Sequence, residues 1–213
     1  MVKSLEVKMK AINWKILFIT SALCLLMILP GAIFWESLPE QIAIHFNIEG
    51  TPDNFTSKAF AVFLIPSLMA LGQIICAVSV DLEEVKHGNK NSKFSAVGKW
   101  ILPVMTIVLQ TAILGYALGW SIDMRVTAMI LAGLVLIVTG ICLFDLDYIK
   151  NYNIEPEKAK KINRFMGYET VVLGALFIIS AFLPPWFSAV CLGLIIPYTV
   201  IGVIYGIKEG RKK

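Results

Sequence analysis

The sequence predicts an all-α membrane protein with six transmembrane helices. Both termini are expected in the cytoplasm, with a short β-like extracellular flap between helices 1 and 2. Three observations carry this. The 213 residues are 57% hydrophobic and only 16% charged, with a mean hydropathy of +0.75, whereas a soluble domain carries about a quarter charged residues. Six apolar stretches of bilayer-spanning length divide the chain. Basic residues gather in alternate connecting segments.

The stretches are residues 13–34, 59–80, 99–120, 126–144, 165–183 and 185–207. A helix of that length satisfies its own backbone in hydrocarbon. The spans use up most of the chain, so residues 1–213 read as a single membrane domain. Within it, residues 12–80 form an N-terminal region with an outer loop at 35–58, and residues 81–213 supply four further helices. The first stretch follows a basic segment, but it is longer than a signal-peptide core and lacks a small-x-small cleavage site. It reads as a retained helix.

With the N-terminus inside, the inward segments hold Lys3, Lys8, Lys10 and Lys15, then Lys86, Lys90, Lys93 and Lys99. They also hold Lys150, Lys158, Lys160, Lys161 and Arg164, then Lys208, Arg211, Lys212 and Lys213. Of the 19 basic residues only Lys58 and Arg125 fall outside, the imbalance that positive-inside topology produces. The net charge of +4 is therefore a topology signal, and no direct nucleic-acid partner is expected. Trp14, Trp35, Trp100, Trp120 and Trp186 fall at span ends, where indole favours the headgroup layer. Pro184-Pro185 separates the last two spans and predicts a tight helical hairpin turning at the outer surface.

Inside the spans, Pro30, Pro66, Pro103 and Pro197 predict local kinks. Gly72, Gly115, Gly119, Gly133, Gly140 and Gly174 predict close helix packing. The mid-span polar residues are the neutral Gln73, Gln110 and Thr111, while Glu169 sits in the first turn of the fifth span and Asp145 ends the fourth. No charge is expected deep in the bilayer, which counts against an ion-coupled pump. Cys24, Cys76, Cys142 and Cys191 lie in apolar runs without CxxC spacing and read as buried free thiols. Neither a metal nor another cofactor is expected.

The outer loop is the most informative segment. From Gln41 to Glu49 the pattern alternates, with Ile42, Ile44, Phe46 and Ile48 on one side and Gln41, Ala43, His45, Asn47 and Glu49 on the other. Period two means an extended strand with one apolar face. Gly50-Thr51-Pro52-Asp53 supplies turn chemistry, and residues 54–58 are expected to pair back. His45, Asn47 and Glu49 then share the outer face, with Asp53 and Lys58 nearby. Two readings stand side by side: a polar recognition site, or the solvent face that any half-buried strand must show. One histidine without a spaced second ligand is a poor metal signal. His87, the only other histidine, is expected on the opposite side, so no nucleophile arrangement assembles and no enzyme is expected.

Leu38-Pro39, Ile42, His45-Phe46-Asn47, Gly50, Asp53 and Lys58 together resemble the N-terminal signature of a bacterial membrane family. That signature is a domain of unknown function that also begins the SdpI-type immunity proteins. The resemblance covers roughly residues 15–80. Ala43 stands where the family has a second proline. Residues 151–161 replace the family's cytoplasmic Gly-x-Arg-Thr-Pro-Trp-Thr-like stretch, whereas Ile162-Asn163-Arg164-Phe165-Met166-Gly167 is similar to its lead-in to the fifth span. SdpI-like proteins protect a cell from a secreted peptide toxin and hold a transcriptional repressor at the membrane. The resemblance thus implies an SdpI-like immunity or sensor protein of the bacterial cell membrane, with a peptide toxin as outer partner and a repressor as inner partner.

On that reading the ligand-binding residues are His45, Asn47, Glu49, Asp53 and Lys58. Residues 145–164 are the inward docking candidate, with Lys158, Lys161 and Arg164 as its contacts. The plainer reading of those cations is topology and contact with anionic headgroups of the lipid bilayer. Two other classes are weighed. A small transporter or permease component requires a polar path around Gln73, Gln110 and Thr111. An enzyme using His45 as a base requires a partner acid that the sequence does not name.

Overall fold

In a computed structural model, which describes residues 11–87, 93–144 and 155–211, six stretches of helix are long and apolar enough to cross a membrane. They are Trp14–Ile33, Phe60–Glu84, Ser95–Ala117, Met124–Leu143, Pro156–Ala181 and Pro185–Gly210. Lys3, Lys8, Lys10, Lys90, Lys150, Lys212, Lys213 and Asp145 lie outside the described residues, as does the 145–154 part of the inward docking segment. The chain divides into two compact units, Met1–Asn91 with Gly98–Thr127, and Ser92–Val97 with Ala128–Lys213.

In the first unit, prolines decide where helices break and what repairs them. Helix α1 (Trp14–Leu26) and α2 (Ile28–Ile33) are parted at Met27. Pro30 has no amide to offer the carbonyl four residues back, at Leu26, so the α-helical ladder stops there. A 3-10 turn (Trp35–Ser37) leads into strand β1 (Gln41–Phe46), which pairs antiparallel with β2 (Pro52–Ser57). A π-helical turn (Phe60–Leu64) then opens α3 (Ile65–His87), and α4 (Lys93–Ala117) follows. Helix α1 packs on α3.

Helix α4 ends in a Schellman motif. Gly119 adopts φ +83°, its amide bonds the Tyr116 carbonyl at 3.0 Å, and the Trp120 amide reaches back to Gly115 at 2.9 Å. Glycine takes this left-handed conformation without Cβ strain.

The second unit contains most of α5 (Met124–Leu143), then α6 (Pro156–Ala181), α7 (Pro185–Gly193) and α8 (Ile195–Gly210). Glu155 is extended and Pro156 takes the first helical position, where its missing amide costs nothing. The helix therefore starts well before the apolar stretch at 165, and its first turns are polar. Pro184 and Pro185 separate α6 from α7 as expected. Pro197 again has no amide for the carbonyl four residues back, and α7 stops there, at Gly193.

Helices α5 and α6 meet along glycines spaced seven apart on each. A Cβ on Gly133 would lie 2.6 Å from the Gly174 carbonyl oxygen, and one on Gly140 would lie 2.8 Å from that of Gly167. Small residues let the two backbones touch, the packing that replaces the hydrophobic effect in lipid. None of the four cysteines forms a disulfide, and Cys24, Cys142 and Cys191 are buried as the sequence predicts, whereas Cys76 is only partly buried.

Candidate functional site

The hairpin is built on the end of the first unit. Ile42 is buried against Leu38, Ala61, Val62 and Leu114, with Trp35 and Ile44 packed around them. Phe46 meets the edge of the Tyr116 ring at a centroid distance of 4.9 Å. The isoleucine face is thus inward, as alternation predicts.

Two details differ from the alternation. The register skips Ile44 on β1 and Asp53 on β2, between the pairs Ala43↔Phe55, His45↔Asn54 and Phe46↔Pro52. These bulges re-aim side chains. Ala43, expected on the outer face, is buried instead. Asp53, expected in the turn, is a strand residue whose carboxylate lies 2.5 Å from His45 Nδ1.

The turn itself is Asn47–Thr51. The Asn47 side-chain oxygen accepts from the amides of Glu49 at 3.1 Å and Thr51 at 2.9 Å, and Gly50 takes φ +82°. Asn47 therefore organises the turn, with its carbonyl oxygen spent on backbone amides. Glu49 is exposed.

Lys58 stands at the other end of the hairpin. Its ammonium bonds Glu40 at 2.8 Å and lies 4.8 Å above the Trp35 ring, a cation–π position. The five expected ligand residues thus form two groups. His45, Asn47, Glu49 and Asp53 belong to the turn end, and Lys58 belongs to the base with Glu40 and Trp35. Those two partners were not singled out from sequence as site residues.

The most exposed part is β2. Phe55 is 51% exposed, and Asp53, Asn54 and Ser57 also face outward. The sheet has two strands, so among the described residues the outer edge of β2 is unpaired. The Lys58 amide bonds the Glu40 carbonyl at 3.0 Å, and alternation from that bond puts the backbone groups of Ser57 and Phe55 on the open edge. An unpaired edge is a template for another strand.

Two of the three polar residues a transport path would need are otherwise occupied. Pro103 leaves the Lys99 carbonyl without its usual donor, and Gln73 Nε2 fills the place at 2.8 Å while also donating to Thr20 at 2.9 Å. In the π turn the Ile65 amide goes to Phe60, and the next donor in that register would be Pro66. The Ala61 carbonyl left over accepts from Gln110 Nε2 at 2.9 Å. Each buried glutamine repairs a carbonyl stranded by a proline. The two repairs are twelve residues apart along one run of helix, about 18 Å at 1.5 Å per residue. Thr111 is exposed.

A charged pair is buried at facing span ends, which the sequence reading did not anticipate. Asp81 and Lys99 are 3% and 4% exposed and ion-paired, and Glu84 lies 3.8 Å from the same ammonium. Asp81 also accepts from the backbone amide of Asn13 at 2.9 Å, which ties the start of α1 to α3. The sequence treated Lys99 as a topology cation only. An acid and a lysine at facing span ends were the available signal.

On α6, Lys158 pairs with Glu155 at 3.0 Å, Lys161 lies 4.0 Å from Glu209, and Lys160 and Arg164 are exposed. Two of the three expected docking cations therefore already face a carboxylate.

Residues 22–70 match a family described as a domain of unknown function (DUF1648), and residues 126–212 match a second such family (DUF3784). Both are typical of membrane proteins. The first match takes in the whole hairpin; the second takes in nearly all of α5 through to α8. No curated protein and no solved structure matches the chain.

Proposed function

We propose that this is a non-enzymatic membrane immunity or sensor protein whose hairpin meets a secreted peptide at the outer surface of a bacterial cell membrane. The observation that carries the reading is the open edge of β2, set on a packed platform and bearing an exposed phenylalanine. Strand addition gives affinity through main-chain hydrogen bonds, and flanking side chains supply selectivity. His45, Glu49, Asp53 and Phe55 are the side chains placed to select. Asn47 and Lys58 keep the hairpin in shape.

The lysine and arginine distribution supports the orientation this requires, with both termini inside and the hairpin outside. The resemblance of the hairpin segment to SdpI-like proteins supports the immunity class. The inward counterpart is a cytosolic repressor held at the Lys158, Lys161 and Arg164 segment, of which Lys161 and Arg164 are exposed.

The test is survival of a toxin-sensitive bacterial strain expressing the chain, set against Phe55→Pro and Phe55→Ala. Proline removes an amide from the open edge and leaves the inner ladder intact. Protection lost in Phe55→Pro and reduced in Phe55→Ala is expected. Equal protection by all three, at equal membrane abundance, refutes strand addition at β2.

A further inference from the structure

We propose that Glu169 is a proton-binding site of the second unit, its carboxyl neutral while α6 and α8 are packed together. Glu169 lies in the span Pro156–Ala181, and its Oε2 is sealed from solvent with no hydrogen-bond partner among the described residues. It faces bare backbone on α8: a Cβ on Gly202 would stand 3.7 Å from Oε2.

The titratable groups around it are all neutral or engaged. From α8, the Tyr198 hydroxyl bonds Thr170 at 2.7 Å, the Tyr205 ring stacks on Phe165 at 4.0 Å, and Glu209 faces Lys161. From α7, the Cys191 thiol bonds the Leu176 carbonyl at 3.6 Å, and on α5 the titratable side chain past Arg125 is Cys142. Past Arg125, neither α5 nor α7 carries a lysine, arginine or histidine, and α8 carries none before Lys208. On α6 itself the preceding cations are Arg164 and Lys161, both exposed, the latter 4.0 Å from Glu209.

A carboxylate with one oxygen sealed from water and no cation beside it is more costly than the neutral acid, so the packed site favours the protonated form. Deprotonation releases that proton to solvent and leaves a carboxylate that is stable only where water reaches it. The packed state therefore holds one more proton than any state in which α6 and α8 separate. By linkage, raising the pH weakens the packed state. This is a site for a proton within a membrane span, independent of what the hairpin binds.

The test is infrared spectroscopy of the protein in lipid membranes, comparing wild type with Glu169→Gln, alongside thermal unfolding of both across pH. At neutral pH the wild type is expected to show the C=O stretch of a protonated carboxyl that Glu169→Gln lacks. Asp81→Asn should leave that band in place. The melting temperature of the wild type should fall relative to Glu169→Gln as pH rises. Absence of the protonated band at neutral pH, its persistence in Glu169→Gln, or a pH-independent difference in melting temperature would overturn the proposal.

Discussion

Asp81 in the first unit lies against a lysine and a backbone amide. Glu169 in the second has a carboxylate oxygen equally cut off from solvent and nothing bonded to it. In the first unit both polar debts of the spans are met by specific partners: the buried charge by Lys99, and the carbonyls stranded by Pro103 and Pro66 by Gln73 and Gln110. Two neutral atoms, Gln73 Oε1 and Ser21 Oγ, are left over among the described residues of this unit. The second unit relies on shape, with glycine backbones in contact between α5 and α6, and a glycine under Glu169. The first arrangement makes a fixed platform for the hairpin. The second makes an interface whose fit depends on whether one carboxyl is charged.

The sharpest way to break this comparison is to strand the charge in the first unit. Lys99→Ala should cost about 3 to 5 kcal/mol, because it leaves Asp81 buried and uncompensated. The Asp81→Leu, Lys99→Leu double variant should recover most of that loss in an unfolding titration in mild detergent. No recovery would mean that the pair is not acting as a pair.

Glycine contacts come next. Gly133→Ala or Gly174→Ala should cost about 1 to 3 kcal/mol, since the new methyl meets backbone that cannot give way. Gly202→Ala meets only ordinary van der Waals distances and should fall within about 0.5 kcal/mol of wild type. Equal losses at the three positions would remove the distinction between seam and groove.

Gln73→Leu should cost about 1 kcal/mol, the usual scale for one hydrogen bond between membrane helices. The loss should shrink in a Pro103→Ala background, where residue 103 regains an amide for the Lys99 carbonyl. A loss unchanged by Pro103→Ala would refute the repair role. The smallest effect belongs to the exposed hairpin pair. His45 and Asp53 side chains are 66% and 43% exposed, so Asp53→Ala should lower stability by only about 0.2 to 1 kcal/mol. Membrane abundance of that variant should match wild type on an immunoblot.

Spans, the hairpin and its inward isoleucines were legible because hydropathy and period-two alternation act over many residues at once. The prolines were legible as disruptions, but where the stranded carbonyls find donors depends on a neighbouring helix, which no local pattern reveals. Asp53 was misplaced for a related reason: a bulge shifts a strand by one residue and leaves no mark in the alternation. Ala43 lies in regular register with Phe55, before the bulge, and the alternation carries no mark of its burial. Lys99 read as a topology signal since it does sit near a span end. Its partner Asp81 is eighteen residues away, across a connection between two helices. Glu169 was visible as an acid near a span boundary, yet its isolation follows from what α8 lacks.

The comparison of Asp81 with Glu169 is tested most directly by replacing each carboxyl with the amide of the same shape. Asp81→Asn and Glu169→Gln should be unfolded side by side in the same lipid at neutral pH. The account predicts a large loss of stability for Asp81→Asn, which leaves the buried Lys99 only the longer contact to Glu84 at 3.8 Å, and little or no loss for Glu169→Gln. Similar losses in both, or a loss confined to Glu169→Gln, would contradict it.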